Sequence, residues 1–230
     1  MNLTTPQALR DRMVREQIAG RGITDERVLA AMRAVPRERF VDEGSVQRAY
    51  EDRPLPIGHG QTISQPYIVA RMTSLAELEG GERVLEVGAG CGYQTAILAE
   101  LGAEVWAIEI IPELAAVTGQ RLHDLGITRA HVACFDGTHG WPEHAPYDAI
   151  LVSAGAPRVP SLLLSQLAPR GRLVIPVGPR DSQRLVVVRR RPDELMDPGG
   201  EQFETSYDIP VRFVDLTGRY GWGGRGVPEA

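Results

Sequence analysis

The segment Val84-Leu-Glu-Val-Gly-Ala-Gly-Cys-Gly-Tyr93 carries the strongest indication of fold in this chain. An apolar run over 84–87 precedes glycines at positions 88, 90 and 92, and a helical pattern begins near Gln94. A strand, a glycine loop and a helix in this order bring the backbone close to a nucleotide ligand in α/β folds. A dinucleotide fingerprint would need its third glycine at position 93, where this chain has tyrosine. The pattern therefore predicts a nucleotide-binding loop and disfavours a nicotinamide dinucleotide as its ligand.

Strands and helices alternate on both sides of this loop. Apolar runs predict strands at 84–87, 105–108, 130–134, 149–152 and 173–177, and helical spacing predicts helices at 66–78, 94–101, 113–125 and 161–167. This alternation is typical of the α/β class, with a doubly wound, mostly parallel sheet and helices on both faces. Two later runs, 185–188 and 209–214, are further strand candidates whose direction stays open.

Length and composition set the number of domains. The chain has 230 residues, of which 43% are hydrophobic and 24% charged, which suits one α/β domain with a few added elements. We expect a single domain over 1–230. Its parts are a helical extension (1–53), a loop rich in proline and glycine (54–66), an α/β core (67–178), late strands (179–220) and a tail (221–230).

The basic residues exclude several classes of enzyme. All 25 are arginine, and the chain contains no lysine. Schiff-base enzymes, pyridoxal-phosphate enzymes and P-loop nucleotide hydrolases all depend on a lysine amine, so none of these mechanisms is available. Asparagine is also nearly absent, since it occurs only as Asn2. Codon usage in a GC-rich genome explains both absences together.

Charge and cysteine content limit the partners. The formal net charge is −5, which argues against a surface that binds nucleic acid. We expect no membrane span and no secretory signal, because no apolar run approaches 18 residues and 1–21 is polar. Cys91 and Cys134 are expected to lie too far apart for a disulfide, and no metal-ligand spacing is present. The sequence thus predicts a cytoplasmic protein without a metal, and we expect a monomer.

Two carboxylates stand at the ends of later strands. Glu109 ends Val105-Trp-Ala-Ile-Glu, 19 residues after Gly90, where an acid is placed to accept both ribose hydroxyls of an adenosine. Taken alone, Glu109 fits a solvated acid at a strand end equally well. Asp136-Gly137 follows the third strand, where the carboxylate can accept from an adenine amino group. Ordinary turn chemistry would produce the same Asp-Gly pair.

The loop Pro56-Ile-Gly-His-Gly-Gln-Thr-Ile-Ser-Gln-Pro-Tyr67 combines glycines with hydroxyl side chains. If 62–64 is extended, Thr62 and Ser64 project to the same side, because side chains alternate along a strand. Ser64 also stands at or beside the start of the helix entered through Pro66, where free amides favour an anion. The local pattern fits an ordinary helix cap at Ser64 somewhat better than a functional group.

Several long motifs resemble one family. The pattern E-x-G-x-G-x-G at 86–92 resembles motif I of class I S-adenosylmethionine-dependent methyltransferases. The loop at 56–67, Val35-Pro-Arg-Glu-Arg-Phe-Val-Asp42, Gly140-Trp-Pro-Glu-His-Ala-Pro-Tyr-Asp148 and Leu173-Val-Ile-Pro-Val-Gly178 together resemble the protein-L-isoaspartate O-methyltransferase family. The resemblance runs from about residue 12 to residue 220. Phe135 and Cys91 depart from it, since glycine and serine are common at those positions.

The resemblance implies a Rossmann-like sheet of seven strands and a defined site. It implies that S-adenosyl-L-methionine is the cofactor, S-adenosyl-L-homocysteine the product, and isoaspartyl-containing peptides and proteins the substrates. Ser64 and Thr62 would be catalytic, and Ile57, His59 and Ser64 would contact substrate. The cofactor would be held by Gln61, Thr62, Glu86, Gly88, Ala89, Gly90, Gly92, Glu109, Ile110, Asp136 and Gly137.

Three other functions stay open at this point. The first is another class I methyltransferase, although the chain lacks an Asn-Pro-Pro-Tyr-like motif and a Pro-Cys nucleophile. The second is a nicotinamide dehydrogenase, which Tyr93 disfavours. The third is a non-catalytic module that holds damaged chains.

Overall fold

Short helices form the first part of the chain in the computed structural model, which describes residues 5–192 and 201–223. Thr5 caps α1 (Pro6–Met13), and its side chain accepts from the amide of Ala8. The helix continues as a π-turn (Val14–Ile18) and a 3₁₀ turn (Ala19–Arg21) and ends at Gly22. Asp25 caps α2 (Glu26–Ala34), and 3₁₀ turns follow at Arg37–Phe40 and Glu43–Arg48. The predicted helical extension is confirmed over these residues.

A small hairpin connects this extension to the core. Strands β1 (Leu55–Pro56) and β2 (Thr62–Ile63) pair antiparallel, with Leu55 opposite Ile63. Helix α3 (Pro66–Ala76) follows, and Gln65 occupies its N-cap position without a side-chain hydrogen bond. Ser64 is therefore not the cap of this helix, and the helix-cap interpretation of its hydroxyl is wrong. The start at Pro66 is as predicted, and the helix ends two residues before the predicted end.

The remaining strands and helices alternate along the chain. They are β3 (Arg83–Val87), α4 (Tyr93–Glu100), β4 (Glu104–Glu109), α5 (Pro112–Asp124), β5 (Ala130–Cys134), β6 (Tyr147–Val152), α6 (Ser161–Leu164), β7 (Leu167–Val177), β8 (Gln183–Arg190) and β9 (Phe203–Val211). Short 3₁₀ turns at Gly137–His139 and Pro142–His144 stand between β5 and β6, where no α-helix forms.

These strands form one seven-stranded sheet in the order β5-β4-β3-β6-β7-β8-β9. The strands from β5 to β7 are parallel, and β8 and β9 are antiparallel to their neighbours. The predicted doubly wound, mostly parallel sheet is confirmed. The chain crosses from one side of β3 to the other, and ligands of such sheets bind outside the carboxyl ends of the strands at this point.

Both faces of the sheet are covered. Along β3, Val84 packs into a cluster with the N-terminal helices, α3 and α4, whereas Leu85 and Val87 pack into a second cluster on the opposite face. Central parallel strands buried on both faces read as continuous apolar runs, which is why the sequence predicts them well. Within the described residues, the short α6 and several turns lie on the second face, and aromatic side chains such as Trp106, Trp141 and Tyr147 cover it.

Three predicted elements have different limits. The helix predicted at 161–167 ends at Leu164, and β7 begins at Leu167 rather than at 173. The sequence does not predict the start of β7 because it contains Pro169 and Gly171, two residue types that are rare inside strands. The strand predicted at 209–214 instead spans Phe203–Val211, because an exposed edge strand is polar and shows no apolar run. The residues 212–214 leave the sheet.

Other expectations concern cysteines, metals and membranes. Cys91 is buried and Cys134 exposed, and both are free thiols. Over 5–192 and 201–223, no helix is long and apolar enough to cross a membrane. The same residues contain no cluster of histidine, cysteine and acidic side chains that could hold a metal ion. Most of the predicted tail, 224–230, lies outside the described residues.

Candidate active site

Two clefts open at the carboxyl ends of the central strands. The first cleft lies over the ends of β3 and β4, and seven predicted site residues line it: Gln61, Thr62, Gly88, Gly90, Glu109, Ile110 and Gly137. The second cleft lies beside it, between the β1–β2 hairpin, α3 and the chain that leaves β9; Thr62 and Ser64 line it. Thr62, Ser153 and Val214 line both clefts, so two hydroxyl side chains stand where the two spaces meet.

The glycine loop needs its glycines for backbone reasons. Gly88, Gly90 and Gly92 all have positive φ angles, of 86°, 55° and 87°. This left-handed region carries a steric penalty for residues with a Cβ atom. A Cβ atom at Gly92 would also lie 2.8 Å from the Thr118 methyl group. The loop therefore exposes backbone at Gly88 and Gly90 to the first cleft, while Gly92 allows α4 to start.

Glu109 joins the glycine loop to the end of β4. One carboxylate oxygen accepts from the amide of Gly90 at 2.8 Å, and the other accepts from the amide of Ile111 at 2.9 Å. The side chain is buried and lines the first cleft. Each carboxylate oxygen has a second lone pair, so Glu109 can still accept hydrogen bonds from a ligand.

Asp136 binds protein groups with both carboxylate oxygens. Its Oδ1 accepts from the amide and hydroxyl of Thr138, at 2.9 and 2.7 Å, and its Oδ2 accepts from the amide of Arg219 at 2.7 Å. Burial acts to raise the pKa of Asp136, but the hydrogen bonds from Arg219 and Thr138 outweigh it and lower the pKa. Gly137, rather than Asp136, lines the first cleft. The carboxylate thus anchors residues close to the end of the described chain.

Glu86 is the most strongly perturbed acid of the site. Its side chain is fully buried, Oε2 accepts from the Thr95 hydroxyl, and Oε1 has no partner among the described residues. Burial, together with the nearby Glu109, raises the pKa of this carboxyl to about 8 against the opposing hydrogen bonds from Thr95 and Ser153. Glu86 lines a small cavity with Thr62, Ser64 and Ser153, beside the first cleft. The oxygen without a partner can accept a hydrogen bond from a ligand group in this cavity.

The remaining predicted residues occupy different places. Ala89 lines the small cavity with Glu86. Ile57 is buried, and its Cδ1 lies 3.4 Å from where a Cβ atom at Gly90 would stand, so it packs on the glycine loop. His59 is exposed, has a φ of 52°, and lines neither cleft. Its side chain therefore lies outside the group of residues that the fold brings together.

Some residues that line the clefts were not predicted from the sequence. Ser153 and Ala154 follow β6, and the rule that ligands bind at strand carboxyl ends could have pointed to them. The segment 214–222, here called the C-terminal strap, crosses the first cleft and lines it with Val214, Asp215, Leu216 and Thr217. The strap is held by a hydrogen bond from Trp222 Nε1 to the Gly155 carbonyl, at 2.9 Å. No local pattern marks an irregular segment as part of a site.

The chain is similar over nearly its whole length to sequences of one family. The family model described as protein-L-isoaspartate(D-aspartate) O-methyltransferase matches residues 8–221. Protein-L-isoaspartate O-methyltransferase 1 of Syntrophobacter fumaroxidans is 53% identical over 220 residues, which cover 95% of this chain and 98% of that protein. The protein-L-isoaspartate O-methyltransferase of Anaeromyxobacter dehalogenans is 55% identical over 198 residues, covering 85% of this chain and 91% of that protein.

Two solved structures are similar in fold and sequence. A protein-L-isoaspartate O-methyltransferase superposes with a TM-score of 0.80 at 27% identity, covering 92% of this chain and 67% of that chain. A second structure, from Plasmodium falciparum and in complex with S-adenosyl-L-homocysteine, superposes with a TM-score of 0.75 at 25% identity. It covers 90% of this chain and 98% of its own.

Proposed function

The chain belongs to the protein-L-isoaspartate(D-aspartate) O-methyltransferase family, and from this premise we propose how its site acts. The enzyme transfers a methyl group from S-adenosyl-L-methionine to the free carboxylate of L-isoaspartyl residues in damaged peptides and proteins. The observation that carries the assignment of residues is the junction of the two clefts at Thr62 and Ser153. One cleft has a nucleotide-binding loop, and the other is open enough for a peptide.

The residues of the first cleft fit the cofactor. Glu109 keeps free lone pairs toward the cleft for ribose hydroxyls, and the glycine loop leaves backbone exposed beside it. The unpartnered oxygen of Glu86 can accept a hydrogen bond from the ammonium group in the methionine part of the cofactor, and that positive charge would favour the ionised carboxyl. We assign Asp136 to the strap, and we assign the contact with adenine to Gly137 and to Ile110, which lines the same cleft. When bound, S-adenosyl-L-methionine supplies an activated methyl carbon.

The residues of the second cleft need only position a nucleophile. A peptide carboxylate is ionised at neutral pH, because its reference pKa is near 4, so no general base is required. We assign to the hydroxyls of Ser64 and Thr62 the hydrogen bonds that fix one carboxylate oxygen while the other attacks. Catalysis by orientation of this kind depends on placing the reacting atoms closely. A site of hydroxyls and glycines, without lysine, suits that task.

The product leads to repair by ordinary chemistry. The carboxylate oxygen forms a bond to the methyl carbon as its bond to sulfur breaks, which yields a methyl ester and S-adenosyl-L-homocysteine. The backbone amide nitrogen that follows then attacks the ester carbonyl, and methanol leaves to give a succinimide. Hydrolysis of this ring restores a share of normal aspartyl residues. No residue of the chain is needed after the methyl transfer.

Labelled cofactor and a matched pair of peptides test the function. The wild-type enzyme should methylate a peptide that contains one isoaspartyl residue and leave its aspartyl twin unlabelled. Equal labelling of both peptides, or labelling of neither, would contradict the proposal. Family membership decides against a nicotinamide dehydrogenase, and labelling of the isoaspartyl peptide would decide against a non-catalytic module.

Location and assembly remain predictions. We propose a cytoplasmic monomer that binds no nucleic acid, the last of these because the net charge is acidic. Light scattering measures the mass in solution, and fractionation of cells that produce the protein gives its location. The division into parts at 53, 66, 178 and 220 likewise stays a prediction.

A further inference from the structure

We propose that Arg37 is a positioning residue for the methyl transfer, which fixes Ser64 relative to the glycine loop. The inference rests on the proposed function. Arg37 belongs to the helical extension, in the 3₁₀ turn Arg37–Phe40, and it lines neither cleft. Its side chain has no exposed surface. Any effect of Arg37 on the reaction therefore passes through the groups that its guanidinium contacts.

The first observation is that this buried charge has no carboxylate partner among the described residues. Its Nε donates to the Ala49 carbonyl at 2.7 Å, its Nη2 donates to the Ser64 carbonyl at 2.8 Å, and its Nη1 has no partner there. Burial lowers the pKa of Arg37, and Tyr93, Cys91 and Tyr50 oppose that shift. A buried charge is costly, and an apolar residue of similar volume often stabilises a fold as well or better. Stability alone therefore gives a poor reason for an arginine here.

The second observation is which elements the guanidinium touches. The carbonyl at Ser64 belongs to the residue whose hydroxyl we assign to the substrate carboxylate. On another side, the guanidinium lies over the Tyr93 ring, 4.9 Å from its centroid. Tyr93 is the first residue of α4 and follows Gly92 directly. One planar group thus contacts the substrate side and the cofactor side of the site together.

Ser64 depends on such a contact because it lies between regular elements. The ladder of the β1–β2 hairpin ends at Ile63, and α3 begins only at Pro66. A hydrogen bond to the Ser64 carbonyl fixes the position of the backbone that carries the hydroxyl. Misplacing a reacting group by about 1 Å can lower a rate by roughly 10²-fold. Arginine suits this role better than lysine, because its planar fork can donate in two directions and stack on a ring.

Arg37→Lys tests the proposal, with Arg27→Lys as the matched control. Arg27 also donates to two backbone carbonyls, those of Leu78 and Leu101, but it lines neither cleft. We expect Arg37→Lys to lower kcat on the isoaspartyl peptide about 10- to 100-fold. The KM for the peptide and the Kd for S-adenosyl-L-homocysteine should stay within about threefold of the wild type. Arg27→Lys should lower Tm and leave kcat unchanged.

Tyr93→Leu provides a second variant in case Arg37→Lys does not fold. It removes the ring under the guanidinium and keeps Arg37, and we expect kcat to fall about 3- to 10-fold with the same unchanged Kd. The proposal is overturned if the folded variants keep wild-type kcat. It is also overturned if kcat falls and the Kd for S-adenosyl-L-homocysteine rises by similar factors. A wild-type enzyme that does not methylate the isoaspartyl peptide would instead contradict the proposed function.

Discussion

Single hydroxyl groups suit this reaction better than charged donors. A hydroxyl can donate one hydrogen bond and rotate to suit its acceptor. Hydrogen bonds from charged donors are roughly twice as strong. Such a strong bond would also make the attacking carboxylate less nucleophilic. Thr62 and Ser64 line the second cleft, and Thr62 also reaches the first. Their small size leaves room for a peptide beside them.

Ser64→Ala should separate binding from turnover. Loss of the hydroxyl removes a donor to the substrate carboxylate, so we expect kcat to fall roughly 10- to 100-fold. The Kd for S-adenosyl-L-homocysteine, measured by calorimetry, should stay within about twofold, because the glycine loop and Glu109 are unchanged. Ser165→Ala is the control, since that exposed hydroxyl donates only to the Leu162 carbonyl. Full activity of Ser64→Ala would contradict the assigned role.

The buried Glu86 predicts a dependence of stability on pH. Burial raises the pKa of its carboxyl from an ordinary 4.5 to about 8, so the fold favours the neutral form. The stability that the neutral carboxyl contributes is fully present below about pH 4.5 and is lost as the pH rises through about 8. Glu86→Gln mimics the neutral form and keeps the fold. We therefore expect the Tm of the wild type to fall relative to Glu86→Gln between pH 5 and pH 9.

Thermal unfolding of both proteins in the absence of cofactor measures this difference. Glu113→Gln serves as the control, because Glu113 is exposed in the first turn of α5. Its Tm should follow that of the wild type at every pH. Parallel curves for the wild type and Glu86→Gln would show that Glu86 is ionised throughout this range.

At the scale of elements, the C-terminal strap closes one side of the first cleft. The Asp136 carboxylate accepts from the Arg219 amide of the strap, and the Gly155 carbonyl accepts from the Trp222 side chain. Arg180 lies over the Trp222 ring at 4.2 Å and pairs with Asp215 at 2.7 Å. Backbone hydrogen bonds also hold the strap, from the Gly155 amide to the Val214 carbonyl and from the Leu216 amide to the Gly155 carbonyl, both at 2.8 Å. Because the strap lines the first cleft, we expect its anchoring to affect ligand retention.

Trp222→Ala should reduce the affinity for S-adenosyl-L-homocysteine more than it lowers kcat. Removing the ring eliminates the hydrogen bond to Gly155 and the stacking on Arg180, so the strap loses two anchors. A neutral hydrogen bond contributes about 1 kcal/mol, so we expect roughly a 5- to 10-fold higher Kd for S-adenosyl-L-homocysteine. Trp222→Phe keeps an aromatic ring for Arg180 but lacks the Nε1 donor, so its Kd, measured by calorimetry, should be intermediate. An unchanged Kd in both variants would mean that the strap does not contribute to binding.

At the scale of the whole molecule, one ion pair connects the active-site side to the sheet edge. Arg71 of α3 donates to both carboxylate oxygens of Asp208 on β9, at 2.7 and 2.6 Å. Both side chains are largely buried. The pair joins the helix that follows Ser64 to the last strand, whose continuation lines the second cleft. The groove for the peptide thus depends on a contact between distant parts of the chain.

Asp208→Asn should destabilise the protein in a pH-dependent way. Arg71 lowers the pKa of Asp208, so its stabilising contribution is present above about pH 4 and is lost as the pH falls through the lowered pKa. We expect a loss of about 1 kcal/mol in the free energy of unfolding at pH 7, since the pair keeps some contact with solvent. Urea unfolding measures it. Asp181→Asn is the control, because the pair of Asp181 with Arg212 is almost fully exposed.

The parts of the site that lie on regular elements were predictable from local patterns. Gly88, Gly90 and Glu109 stand at the ends of apolar runs, and their type and spacing are enough to point to a nucleotide. Ser64 is a partial case, because the local pattern favours a helix cap and the fold places the hydroxyl in a cleft instead. The late strands were placed inaccurately, because edge strands lack an apolar signal.

The fold class, the glycine loop and the acid at the end of β4 can be inferred from the amino-acid sequence without knowledge of tertiary contacts. These follow from periodicity and backbone freedom, which act over a few residues. The burial of Arg37 and Glu86, the partner of Asp136 and the place of the C-terminal strap are set by tertiary packing. Asp136 and Arg219 are 83 residues apart in the chain, and Arg37 and Ser64 are 27 apart. Such contacts depend on how elements pack, and no local pattern contains that information.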